Sequence, residues 1–385
     1  MLTRRDQAAG FGARHRGVAT AILGACLTIL IGLIAAPSGL LASSARNRAA
    51  SLEGALERRV AQLGVPGATA AVIQRGRPLW SGAAGTKVAG GSDAVTPHTL
   101  FITASTAKTV TAAMALRLVD EGKLGLDETV ERFLPELRDA KRITVRELLQ
   151  HTSGLPDYLT SPRIQHLIAS DPQRAWSRAE VLRAVGWPRY RPGSRAMYSD
   201  SNYIALGGII EAVEGMPLED AFERLISNPL GLRDSSWRYD NSQIGRFAHP
   251  NLRTQSGSVA DLWSAGVIPT GHWGEVWTDG GLASTAPDLA EIAHATVMGP
   301  LLRKSTRRAM LDFHNNDQAG LGVFRRRFLG RDWIGHAGTW AGFTSQHWTY
   351  KRRSLTIAVL TNLEDPGGTN SAEQIFKALA RVALS

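Results

Sequence analysis

The chain has 385 residues, 43% hydrophobic and 20% charged, which fits a folded globular body of two or so domains and excludes disordered, collagenous and coiled-coil classes. Basic residues exceed acidic ones by ten. Half of that surplus comes from six arginines and one aspartate in residues 1–50, and the rest sits in short clusters such as Arg325-Arg326-Arg327 and Lys351-Arg352-Arg353. Those clusters read as solvated turn ends with no nucleic-acid motif beside them. The single cysteine, Cys26, leaves the body without a thiol nucleophile, a cysteine metal site or a disulfide framework.

Arg4, Arg5, Arg14 and Arg16 precede an uncharged stretch over 17–45, most apolar from Val18 to Ala36. A basic flank before roughly 19 apolar residues reads equally as a signal peptide, with Ala42-Ser43-Ser44 offering small residues for cleavage, or as a membrane anchor. Either way the positive flank stays inside and the body, 46–385, is exported: periplasmic, extracellular or membrane-anchored facing outside. Leu52, Leu56, Val60 and Leu63 recur at helical spacing over 49–63, and Gly64 and Pro66 end that helix. Ala68 to Ile73 and Pro78 to Gly82 predict a hairpin around Gln74-Arg-Gly-Arg77. Between Lys108 and Arg117 the residues Thr-Val-Thr-Ala-Ala-Met-Ala-Leu are apolar or nearly so, which predicts a helix buried all round. Glu121 to Asp127 breaks the pattern, and helical periodicity dominates from Glu128 to about Arg233. Strands are predicted at 321–328, 333–336, 342–350 and 355–361, then a closing helix over 371–384. The expected class is α+β: a sheet subdomain from about 49–120 and 300–385, a helical subdomain from about 121–299, and a site where they meet.

Ser105 and Lys108 lie three residues apart and share a helix face. Burial disfavours an ammonium and lowers a lysine pKa, the condition under which an amine takes a proton from serine. Alone the pair is a weak signal, because a serine cap and a lysine snorkelling from the first turn give the same pattern. No histidine pair stands at i, i+4 and no H-E-x-x-H occurs, so the reading calls for no metal and no cofactor. Nor is there a G-x-S-x-G elbow.

Further stretches give the pair its context: Leu148-Leu-Gln-His-Thr-Ser-Gly-Leu-Pro156, Arg191-Pro-Gly-Ser-Arg-Ala-Met-Tyr198-Ser-Asp200-Ser-Asn-Tyr203, Asn228-Pro-Leu-Gly-Leu232 and Gly280-Gly-Leu-Ala-Ser-Thr285. In this order, from about residue 52 to the C-terminus, the chain closely resembles the serine β-lactamase-related family of class C β-lactamases, D-alanyl-D-alanine carboxypeptidases and β-lactamase-like esterases. The resemblance implies a β-lactamase/transpeptidase-like fold, with an antiparallel sheet flanked by helices and a helical domain. Three motifs would meet between them: Ser105-Thr-Ala-Lys108, Tyr198-Ser-Asp200 and His336-Ala337-Gly338. It implies Ser105 as the nucleophile that carries an acyl group, and Lys108 and Tyr198 sharing the proton work, with the base unassigned. The backbone N–H groups of Ser105 and Thr339 would form the oxyanion hole. Asp200, His336, Ala337 and Gly338 would face the substrate; Trp340 either walls the pocket or packs, and His151 is a structural loop residue.

Two departures matter. Asp200 stands where the family often has asparagine and donates no hydrogen bond unless protonated. His336 and Ala337 replace a lysine and a hydroxyl residue, and a largely neutral imidazole beside a methyl group anchors a carboxylate poorly. The expected function is a serine hydrolase working through an acyl-serine on a small ester, amide or D-amino-acid peptide, with esterase or D-Ala peptidase favoured over efficient β-lactamase. The altered motifs also allow a non-catalytic module that binds cell-wall fragments. Expected partners are a small-molecule substrate and no nucleic acid, with membrane contact through the N-terminal segment only and the oligomeric state open.

Overall fold

The computed structural model describes residues 38–171, 174, 176–238, 241–266, 277–313, 318–367 and 370–385, so the apolar stretch from Val18 to Ala36 lies outside the described residues. The chain divides into two compact units, Met1–Asn47 and Arg48–Ser385. Helix α1 runs Ser38–Leu63, starting earlier than the periodicity predicts and including Ala42-Ser43-Ser44. Among the described residues no helix is long and apolar enough to cross a membrane.

The second unit is organised by one six-stranded sheet. Its strands are β1 (Gly67–Gln74), β2 (Arg77–Gly85), β3 (Phe324–Phe328), β4 (Arg331–Trp340), β5 (Phe343–Tyr350) and β6 (Leu355–Thr361). Their order is β2-β1-β6-β5-β4-β3 and every neighbouring pair is antiparallel. The β1–β2 turn places Arg75 and Gly76 at φ 54° and 70°, the left-handed geometry that a two-residue hairpin needs and glycine adopts without strain. In the centre, Ala68 of β1 pairs with Thr361 of β6, so the first and last strands of the chain close the sheet together.

Both faces of the sheet are buried, which follows from alternation along its inner strands. Leu355, Ile357 and Val359 of β6 point to one side, where Leu52 and Leu56 of α1 meet Phe376 and Leu379 of the closing helix Ser371–Leu384. Ala358 and Leu360 point to the other. A fully buried side chain of this size contributes about 1.5–3 kcal/mol relative to exposure.

Four further helices complete the frame: α2 (Ala107–Asp120), α3 (Ser201–Glu214), α4 (Ala286–Val297) and α5, the closing helix. Helix α4 lays Leu289 and Ala290 on the second face of the sheet, against Ala71 and Ile73. Helix α2 is buried all round, as its composition predicts, and shares its core with α3 and the shorter helices between them: Val110, Met114 and Leu118 join Ile209 and Ile210. Helix α4 divides its buried residues, with Leu289 and Ala290 against the sheet and Ile292, Ala295 and Val297 in the helical core. A two-residue strand pair, Phe101–Ile102 with Ala283–Ser284, ties the start of α2 to the segment before α4.

Candidate active site

Ser105 sits in a 3-10 turn, Ala104–Thr106, at the entrance of α2 rather than inside the α-helix. The preceding Ala104 holds φ 48°, a left-handed conformation that costs a residue with a Cβ about 1–2 kcal/mol. What holds it is a clamp of hydrogen bonds around Thr103. Its N–H donates to the Leu282 carbonyl at 2.9 Å, while its own carbonyl accepts from the Thr106 hydroxyl at 2.7 Å and the Ser345 hydroxyl at 2.5 Å. The clamp leaves Ser105 part-exposed among buried neighbours. That is the placement a nucleophile needs.

Lys108, one turn on, is 1% exposed, and its Nζ has three oxygen partners: Ser105 Oγ at 3.2 Å, the Asp279 carbonyl at 2.6 Å and Asp200 Oδ1 at 2.6 Å. The first two are hydrogen bonds and the third is an ion pair. Burial alone pushes this amine down, as its place in an apolar helix predicts. The Asp200 carboxylate and the neighbouring Tyr198 and Asp279 outweigh it, and the net direction is upward. The expectation of a lysine whose pKa is lowered by desolvation is therefore corrected: the net direction in the resting site favours the ammonium.

Tyr198 completes the trio, its ring centroid 5.1 Å from the Lys108 ammonium, and both Lys108 and Ser105 favour its phenolate form. Its surroundings push the phenol up through burial, Lys108 pulls it down, and the result is a protonated phenol. Its ring is 40% exposed at the cleft mouth. The other face of that ring stacks on His151, with centroids 4.4 Å apart. His151 Nδ1 accepts from the Ser199 N–H and the Asn202 amide, both at 3.2 Å, and burial drives its pKa to about 3. His151 is thus a neutral platform for Tyr198, a more specific role than a loop residue.

The third motif lies on β4, and its residues alternate in direction. His336 faces the site, 6.2 Å from the Tyr198 ring and 5.1 Å from Phe324, between centroids. Its Nδ1–H donates to the Ala337 carbonyl at 2.6 Å, and its Nε2 is buried with no partner among the described residues. Burial, then Lys108, holds this ring well below the usual histidine range, so it offers a lone pair to the cleft. Ala337 turns away: its methyl packs with the core on the α1 and α5 side, and its side chain does not reach the cleft. At Gly338 the strand crosses the nucleophile so closely that a Cβ there would lie 2.8 Å from the Ser105 nitrogen and 2.8 Å from the Thr103 carbonyl, and against Ser345 Oγ. Thr339 is exposed and its hydroxyl accepts from the Asn370 amide at 3.1 Å. Trp340 is half-buried against the cluster of Leu100, Phe101 and Phe343, which gives it a packing role.

Three residues of the site were not singled out from sequence. Asp279 provides the carbonyl for Lys108, and burial raises its own carboxyl well above the usual range. It stands immediately before the Gly280-Gly-Leu-Ala-Ser-Thr285 stretch, so the signal was adjacent. Asp157, just past Leu155-Pro156, accepts the Asp200 N–H at 3.2 Å and the Leu159 N–H at 2.9 Å; burial, then Asp200, raises it to about 6. His347 lies opposite His336 across the β4–β5 register and donates from Nε2 to Thr109 Oγ1 at 3.1 Å, behind Lys108. Nothing in the sequence distinguishes it from other strand residues.

A part-exposed serine in contact with an ammonium, a phenol beside them and a glycine-bearing strand as the wall define a serine hydrolase with the β-lactamase/transpeptidase-like fold. The chain belongs to the Beta-lactamase family, whose sequence profile matches residues 52–381. It is similar to the esterase EstB of Burkholderia gladioli, at 29% identity over 83% of this chain and 91% of that one. It is also 28% identical to a putative D-alanyl-D-alanine carboxypeptidase of Escherichia coli K12, matching 53% of this chain and 52% of that one, so the chain spans about half of that relative's length. Among solved structures, a D-stereospecific amidohydrolase from Streptomyces superposes at TM-score 0.69 with 27% identity, over 86% of this chain and 98% of that one. The D-amino acid amidase of Ochrobactrum anthropi SV3 shares the fold at TM-score 0.75 and 23% identity, over 88% of this chain and 99% of that one.

Proposed function

We propose that this serine hydrolase is an exported esterase that acts through an acyl-enzyme on Ser105, with uncharged small esters as its best substrates and amides of the same size as slower ones. The observation that carries the catalytic part is the contact of Ser105 Oγ with Lys108 Nζ at 3.2 Å, with that ammonium 5.1 Å from the centre of the Tyr198 ring. Ser105 Oγ attacks the carbonyl carbon, and its proton passes to the Lys108–Tyr198 pair once that pair has lost one proton. The oxyanion is held by the N–H groups of Ser105 and Thr339, a reading supported by the approach of Gly338 to the Ser105 nitrogen. Collapse expels the alcohol, which takes the proton back, and water then releases the acid with the same pair as base.

Substrate charge is argued from what surrounds the nucleophile. Lys108 is committed to Asp200, His336 is neutral, and Asp200 and Asp157 add negative charge. A substrate carboxylate, as in a β-lactam or a peptide C-terminus, finds no free cation among these groups. The similarity to the esterase EstB supports the same choice. Export rests on the basic and apolar N-terminal pattern alone.

The test is labelling with a fluorophosphonate together with turnover of a nitrophenyl ester, a chromogenic cephalosporin and a D-Ala-D-Ala peptide. The ester is expected to turn over fastest, with label and turnover both abolished in Ser105→Ala. A faster cephalosporin overturns the substrate reading, and a fully active Ser105→Ala overturns the mechanism.

A further inference from the structure

Three turns leave the sheet at the same end. The β1–β2 turn carries Arg75 and Arg77, the β3–β4 turn leads to Arg331, and the β5–β6 turn carries Lys351, Arg352 and Arg353. All six are exposed. The β1–β2 and β5–β6 turns and Arg48 border one hollow of about 670 Å³, and Lys351 and Arg352 also border a second, of about 380 Å³, that reaches Arg331. The clusters that look separate in the sequence therefore form one continuous rim. Among the described residues none of the six has a carboxylate partner; Arg331 and Arg353 donate to the carbonyls of Leu329 and Leu384, which leaves their charge uncompensated. Asp332 is the one carboxylate bordering either hollow.

Like charges crowded on one edge repel, and a surface that keeps them suits an anionic partner. We propose that this rim docks on the anionic headgroups of a phospholipid bilayer. The rim consists of turn tips at one end of the sheet, and Tyr350, the aromatic bordering its second hollow, is half-buried against Trp333, which favours a headgroup surface over a nucleic-acid strand whose bases need exposed rings to stack on. Arg48, where the second unit begins, borders the rim, and in the sequence the apolar stretch ends 12 residues before it, at Ala36. In the sequence an apolar stretch thus precedes a residue that borders the rim. Sequence reading confines membrane contact to the N-terminal segment; the rim extends it to the body. The catalytic end of β4 points the other way: Gly338 lies seven residues along the strand from Arg331, roughly 24 Å at strand rise.

The test uses the full chain and vesicles of phosphatidylcholine with or without phosphatidylglycerol. Binding is expected to favour the phosphatidylglycerol vesicles at low salt and to lose that preference at high salt. The variant Arg75→Glu/Arg77→Glu/Arg352→Glu is expected to weaken partition onto them roughly 100-fold, from about 1 kcal/mol per cation removed, with ester turnover unchanged. Amide hydrogen exchange at residues 74–78 and 350–355 reads the rim directly even if the apolar segment holds the chain on both vesicles; slowing is expected with phosphatidylglycerol alone. Equal binding and equal exchange on the two vesicles overturns the proposal, as does a variant that matches the wild type both in partition and in the slowing at residues 74–78 and 350–355. Tighter binding to single-stranded DNA than to the anionic vesicles at equal salt assigns the rim to nucleic acid and overturns it too.

Discussion

At Lys108 one nitrogen meets three oxygens, and one of those oxygens belongs to a carboxylate. An amine so placed gives up its proton reluctantly, so the ester reaction is expected to accelerate as pH rises. Asp200→Asn removes the charge that holds the proton while keeping the side-chain shape. An opposite charge at this range is worth about 1–3 pKa units, and the acid limb of kcat/KM for a nitrophenyl ester is expected to move down by that amount. An unmoved limb would show that Tyr198 alone sets it. The motifs made Ser105, Lys108 and Tyr198 legible in the sequence. The charge state of Lys108 was not, because the Asp200 carboxylate that holds its proton reaches it from 92 positions away, and local composition reports only the burial.

The elements add the constraint that turns three side chains into a site. Strand β4 passes the turn of Ser105 with room for a hydrogen and no more at Gly338. In Gly338→Ala the strand or the turn must shift, and a misplacement of about 1 Å costs roughly 100-fold in rate. Ester kcat is expected to fall by that factor, while overpacking costs ~1–3 kcal/mol of stability in denaturant titration. A variant of normal kcat would mean that the strand yields freely. The sequence predicts a strand over 333–336 and stops short of this crossing, whereas β4 continues to Trp340. The resemblance places Gly338 on a strand and expects it to let that strand approach the substrate closely; the approach is made to the backbone of the Ser105 turn. The β1–β2 hairpin was legible because its turn is local, and the 3-10 entry at Ala104 was not, because only the clamp from Leu282 and Ser345 imposes it.

Across the whole molecule, burial of ionisable groups near the site sets how stability responds to acid. His347 is fully buried and burial drives its pKa to about 3. The native ring stays neutral while the unfolded one takes a proton near its ordinary value of about 6.5. The unfolded state therefore binds more protons below that pH, and stability is lost as pH falls. His347→Gln keeps a donor for Thr109 without the titration. Between pH ~6.5 and ~4.5 the wild type is expected to lose about 2 kcal/mol more than the variant. Parallel pH curves from denaturant titration would contradict the buried neutral ring. The scale of the whole molecule is also where the sequence misled about charge. Arg75, Arg331 and Lys351-Arg352-Arg353 are far apart in the chain and become one edge only when β1, β4 and β5 align.

The pairing of Ala68 with Thr361 has a consequence in time. A ribosome releases Ser105 and Lys108 long before the strand that walls them, and β1 waits 293 positions for its partner in β6. A growing chain thus carries its nucleophile without Gly338 beside it or Thr339 to receive an oxyanion. Hydrolysis begins only when the last strands close the sheet, so each active molecule is one whose folding has run to completion.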